Sequence, residues 1–109
     1  MTFLELDDII SRCRRRSIAS ALVACLVDAL DRGEDGLDLD AFQAQRQFVR
    51  NNVTSVAAYL QECGVLEISF YKEADENTGR VFVKNNVYGR WAKQHYHLST
   101  SLKSLYQRN

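Results

Sequence analysis

Arg50-Asn51-Asn52-Val53-Thr54-Ser55-Val56-Ala57-Ala58-Tyr59-Leu60-Gln61-Glu62-Cys63-Gly64-Val65-Leu66 decides how this chain is read. Val53, Val56, Ala57 and Leu60 recur at helical spacing and define one apolar face. Asn51, Asn52, Thr54, Ser55 and Ala58 are left on the opposite face. Gly64 ends the helix by allowing a backbone reversal that residues with a Cβ resist. Beyond it, Leu66, Ile68 and Phe70 alternate with Glu67, Ser69 and Tyr71, the pattern of a half-buried strand.

Upstream, Leu37-Asp38-Leu39 is short and alternating, a brief strand. Asp40 is placed to cap a helix that carries Ala41, Phe42 and Ala44. Downstream, a polar loop from Glu73 to Gly79 leads into Arg80-Val81-Phe82-Val83-Lys84 as the expected partner strand. Thr2-x-x-Glu5 is a capping box before Phe3, Leu6, Ile9, Ile10 and Cys13, so a helix over about 2–14 follows. Ile18, Leu22, Val23, Leu26, Val27 and Leu30 form the broad apolar stripe of a second helix, which stops near Gly33. Asn85 and Asn86 precede a final helix expected over about 87–105. In it Trp91, His95, Leu98, Leu102 and Leu105 follow a 4-3-4-3 spacing. Such a stripe needs a cover, either a second copy of the chain or its own N-terminal helix; Trp91, Leu98, Leu102 and Leu105 are the expected dimer interface.

The order helix, short strand, helix, helix, strand, loop, strand resembles the winged helix-turn-helix superfamily, with extra helices at both ends as in many dimeric bacterial and phage regulators. The match covers about residues 18–84. Its most specific part is the end of the recognition helix, where an aliphatic residue, a small core residue and a Leu precede a Gly that opens the wing. Here these are Val53, Ala57, Leu60 and Gly64. The resemblance implies an α+β fold, mostly helical, with a two- to three-stranded antiparallel wing and terminal helices, in a single domain over 1–109. It also implies that the outer face of helix 50–63 enters a DNA major groove. Asn51, Asn52, Thr54 and Ser55 would reach base edges or phosphates, and Arg46 and Arg50 would contact flanking phosphates. Lys72 and Arg80, at the base of the wing, complete the expected DNA-binding set.

Charge bears on this in two directions. The 109 residues carry 14 basic and 14 acidic side chains, a formal net charge of zero, whereas DNA binders usually hold a basic excess. The distribution is uneven: residues 1–40 hold nine acids against five bases, and residues 41–109 five acids against nine bases. From Ala41 to Gln61 there is no acid, only Arg46 and Arg50. One basic face is therefore available without a basic protein. Glu73, Asp75 and Glu76 at the wing tip point the other way, to a wing that meets a protein rather than a phosphate backbone. Arg12, Arg14, Arg15 and Arg16 form the densest basic cluster, readable as a phosphate- or partner-binding patch and equally as a solvated helix end.

No catalytic signature is present. There is no phosphate loop, no G-x-S-x-G, no H-E-x-x-H and no C-x-x-C, and no motif asks for a cofactor. Asp7-Asp8 and Asp38-x-Asp40 are more simply caps and turns than acid–base pairs. His95 and His97 stand two residues apart with no Cys or acid close in sequence, so a metal site is not expected. Cys13, Cys25 and Cys63 sit among apolar helical positions and read as reduced core thiols, which places the protein in the cytoplasm. No apolar run approaches the roughly 18 residues needed to span a bilayer.

The expectation is a homodimeric, cytoplasmic, non-enzymatic protein that binds double-stranded DNA. It would serve as a transcriptional regulator or as a replication or partition factor of a phage or mobile element. The alternative is an interaction module that uses the same fold on a protein partner, as inhibitor or adaptor of a larger complex.

Overall fold

A computed structural model describes residues 1–72 and 81–106 of the chain. Helix α1 covers Phe3–Arg12, α2 Arg16–Asp31, α3 Leu39–Arg46, α4 Arg50–Glu62 and α5 Thr100–Tyr106; the strands are β1 Leu37–Asp38, β2 Leu66–Tyr71 and β3 Lys93–Leu98. The fold is thus α+β, with one antiparallel sheet in the order β1-β3-β2.

The central helix is α2. Ile18, Ala19, Leu22, Val23, Cys25, Leu26 and Ala29 are all buried, so the apolar stripe is wide enough to meet neighbours on more than one side. It packs on α1, α4 and β3. In α4 the buried residues are Val53, Val56, Ala57 and Leu60, the four that helical spacing puts on one face. Thr2 caps α1, its hydroxyl accepting the Glu5 amide at 3.1 Å. Gly64 has φ +79 and turns the chain out of α4, with the Val65 amide donating to the Leu60 carbonyl at 2.9 Å.

Two glycine-dependent joints position the sheet against these helices. Gly36 has φ +122, and a Cβ there would collide with the Tyr96 carbonyl oxygen and approach His95 Nε2 at 2.7 Å. Only glycine lets the chain run this close to β3 before entering β1. At the other end, the Ser99 hydroxyl donates to the Gly64 carbonyl at 2.6 Å and accepts the Leu102 amide at 3.3 Å. One side chain thereby ties the α4–β2 turn to the start of α5.

The C-terminal third departs from the expected helix over 87–105. Residues 89–91 form a short 3₁₀ turn, 93–98 a strand, and only 100–106 a helix. The physical reason is that Gln94, Tyr96 and Leu98 also alternate. β3 pairs with all six residues of β2, from Leu66 opposite Leu98 to Tyr71 opposite Lys93, and with both residues of β1. Pairing β3 with a strand on either side satisfies the backbone of three strands at once and buries Tyr96 and Leu98, which an isolated helix face does not. The heptad-like stripe is consequently dismantled. Leu98 is 3% exposed and Leu102 0%, both inside the chain's own core, while Leu105 packs against it and Trp91 stands 68% exposed. These four residues form no common surface, so the dimer interface expected there is not formed by them. α5 meets α1 instead, with the rings of Tyr106 and Phe3 edge to face at 5.3 Å.

The expected partner strand 80–84 is also corrected. Of the described residues 81–84 only Val83 pairs with β2, through one bridge to Phe70 on the edge away from β3. The long ladder goes to β3 because its alternation is sustained over six residues. Glu73, Asp75, Glu76, Gly79 and Arg80 lie outside the described residues, so the wing tip and the Arg80 contact expected there have no structural account. All three cysteines are free. No helix of the described residues is long and apolar enough to cross a membrane.

Candidate nucleic-acid interface

The face of α4 opposite its buried residues is built from short side chains because nothing in the core needs larger ones there. Asn51, Ser55 and Ala58 are exposed, and Asn52 and Thr54 are half-buried on its two flanks. The Thr54 hydroxyl donates to the Asn51 carbonyl at 3.0 Å, one turn back on its own helix. Glu62, at the last turn, is the one carboxylate of α4.

The two arginines expected beside this face are held differently. Arg50, the first residue of α4, donates from Nη1 to Asp40 Oδ1 at 2.7 Å, and Lys93 Nζ meets Asp40 Oδ2 at 3.0 Å. The Arg50 guanidinium, and then the Lys93 ammonium, hold the Asp40 carboxyl below the usual carboxylate range. Asp40 therefore sits within the first turn of α3 as an ion-pair hub, not as the cap expected of it. Arg46, at the end of α3, is exposed and reaches the Cys25 sulfur with Nη2 at 3.7 Å. Gln47 then adopts φ +59, a left-handed conformation unusual for a residue with a Cβ, and closes α3 ahead of α4. Lys72 is exposed immediately past β2.

A basic element that the sequence alone leaves open to two readings is brought to the same helix. The Tyr59 hydroxyl donates to the Ile9 carbonyl at 2.7 Å and so locks α1 onto α4. Desolvation is the main cause that pushes the Tyr59 phenol up, followed by its hydrogen bond to Cys63. This docking sets the corner between α1 and α2 beside α4, where Arg12, Arg14 and Arg15 share an open cleft of about 450 Å³ with Ser55 and Tyr59. The sequence held one signal for it: Ser55 and Tyr59 are one helical turn apart, at the margin of the apolar face.

The outer face of the sheet carries the two histidines. His95 places Nδ1 2.7 Å from Asp38 Oδ1 and Nε2 2.9 Å from the Asp35 carbonyl oxygen; His97 places Nε2 2.7 Å from Glu67 Oε2. Their acidic partners come from β1 and β2, far away in sequence, which is why proximity along the chain missed them. Phe82 stacks over this face between Tyr71 and His95, at ring distances of 5.2 and 5.0 Å. Among the described residues no group of three or more His, Cys, Asp or Glu side chains is arranged to hold a metal ion. Compared with protein-family models, curated proteins and solved structures, the chain matches none.

Proposed function

We propose that this chain is a winged-helix protein that binds double-stranded DNA through α4, as a transcriptional regulator or a replication or partition factor of a phage or mobile element. The observation that carries the reading is α4 itself. Val53, Val56, Ala57 and Leu60 are given to the core, while Asn51, Ser55 and Ala58 stand clear of it. Short amide and hydroxyl side chains on a projecting helix suit the donor and acceptor pattern of a major groove. The element order on which the resemblance rests is present as α2, β1, α3, α4, β2 and β3, with the last strand at 93–98 in place of 80–84. A dimer through Trp91, Leu98, Leu102 and Leu105 is no part of the proposal, since Leu98 and Leu102 are core residues.

The test is a mobility shift on random and host-derived duplexes at several salt concentrations. Binding that weakens linearly in log-log form as salt rises is the expected result. An absence of binding at low salt overturns the reading and favours the second one, a module for a protein partner. That second reading has its own support in the exposed Val81, Phe82, Val87 and Trp91, which cluster in the 81–91 segment rather than on α4.

A further inference from the structure

We propose that the α1–α2 corner is a phosphate-binding site that grips the sugar-phosphate backbone of a duplex alongside α4. This rests on the reading of α4 given above. Arg12, Arg14 and Arg15 of this corner line an open cleft whose far wall is Ser55 and Tyr59 of α4. Among the described residues no carboxylate lines it. Arg14 and Arg15 are exposed and their side chains have neither an ion pair nor a hydrogen bond among the described residues, and the same holds for the Ser55 hydroxyl. Arg12 has one partner, Asp8 at 3.2 Å, in a pair that is 75% exposed on the arginine side.

Three arginines on one cleft give it positive charge, which an anion neutralises. Guanidinium forks match the paired oxygens of a phosphate better than an ammonium does. Tyr59 acts as a wall and not as a ligand, because its hydroxyl is already held by the Ile9 carbonyl. That hydrogen bond also fixes the corner relative to Ser55, so the donors do not have to be ordered when the ligand arrives. The placement suits a duplex. A helix is about 10–12 Å across and a major groove about 12 Å wide, so a helix lying in the groove has a phosphate strand along each flank. The arginine corner adjoins Ser55 and Tyr59 of α4, and Arg50, joined to Lys93 through Asp40, stands at the first residue of the helix.

The experiment is a salt titration of duplex affinity for the parent chain and for the double variant Arg14→Gln with Arg15→Gln, with thermal unfolding recorded for each. The double variant should lower the log-log salt slope by about two, one for each phosphate that is no longer neutralised. Its affinity should fall by a similar factor on every duplex, leaving the ratio between preferred and scrambled sequences unchanged. A double variant that unfolds like the parent and keeps the parent's slope overturns the proposal while the reading of α4 stands. A lost sequence preference at unchanged slope also overturns it, because the arginines would then be reading bases. A parent chain that binds no duplex at low salt overturns both.

Discussion

Asp40 on α3 receives Arg50 of α4 on one carboxylate oxygen and Lys93 of β3 on the other, at 2.7 and 3.0 Å. A single carboxylate thus joins three elements and occupies the guanidinium nearest the start of the proposed recognition helix. A phosphate arriving there has to compete with it. Asp40→Asn should therefore raise duplex affinity several-fold and steepen its salt dependence. All three side chains are more than a third exposed, so the stability lost should be about 1 kcal/mol or less. Fluorescence anisotropy on a labelled duplex at several salt concentrations tests this; unchanged affinity would mean that Arg50 makes no phosphate contact.

The same carboxylate makes stability depend on pH. Its folded-state pKa lies below the ordinary aspartate value, so its contribution is complete above that value, about 3.9, and is lost as pH falls through the lower folded-state value. Urea unfolding between pH 7 and pH 3 should show the parent's advantage over Asp40→Asn constant near neutrality and shrinking in the acid range. An advantage that grows on acidification would contradict the assigned direction.

Gly36→Ala should be among the most damaging single changes in the chain. The added methyl would meet the Tyr96 carbonyl oxygen, and φ +122 is itself strained for alanine. A loss above about 2 kcal/mol is expected. Gly33→Ala, with φ +77 but open space around the new Cβ, should lose only about 1 kcal/mol. Denaturant midpoints of the two variants settle the order, and equal losses would rule out the close approach to β3 as the cause.

On α4, Asn51→Ala should weaken binding to a preferred duplex by about 1–3 kcal/mol while barely changing binding to scrambled sequence. Thr54→Ala should have the smaller effect, because its hydroxyl is engaged by the Asn51 carbonyl. Competition with preferred and scrambled duplexes measures both. A larger effect at Thr54 than at Asn51 would shift the reading face toward the β2 side of the helix.

Leu102 and Trp91 should behave as opposites. Leu102→Ala removes a fully buried side chain and should destabilise by about 2–5 kcal/mol, whereas Trp91→Ala, at a position 68% exposed, should stay within about 0.5 kcal/mol. Thermal unfolding distinguishes them. Comparable losses would put Trp91 back in a packed interface.

The helices α1 to α4 and strand β2 were legible because their signals are local. Thr2 and Glu5, the apolar stripes and Gly64 act within one or two turns of the chain. The segment from Trp91 to Leu105 was not, because its spacing fits two periods at once. Leu98 and Leu102 satisfy a heptad, Gln94, Tyr96 and Leu98 satisfy a strand, and only β1 and β2 as available partners decide between them. The outer face of α4 could be read residue by residue. The arginine corner beside it could not, since it depends on the Tyr59 hydroxyl reaching a carbonyl 50 residues earlier in the chain.

The middle strand of the sheet is the last of the three to be synthesised. β1 and β2 are not neighbours, and each joins the sheet only through β3; the Asp38–His95 pair closes a separation of 57 residues. The helices can form from local contacts as the chain leaves the ribosome, but both flanking strands must wait, their hydrogen-bonding edges open, until residues 93–98 emerge. Such long-range closure is slow compared with helix formation. During that interval an unpaired β2 can pair with the same segment of another nascent chain, so the arrival of β3 is the step on which correct assembly depends.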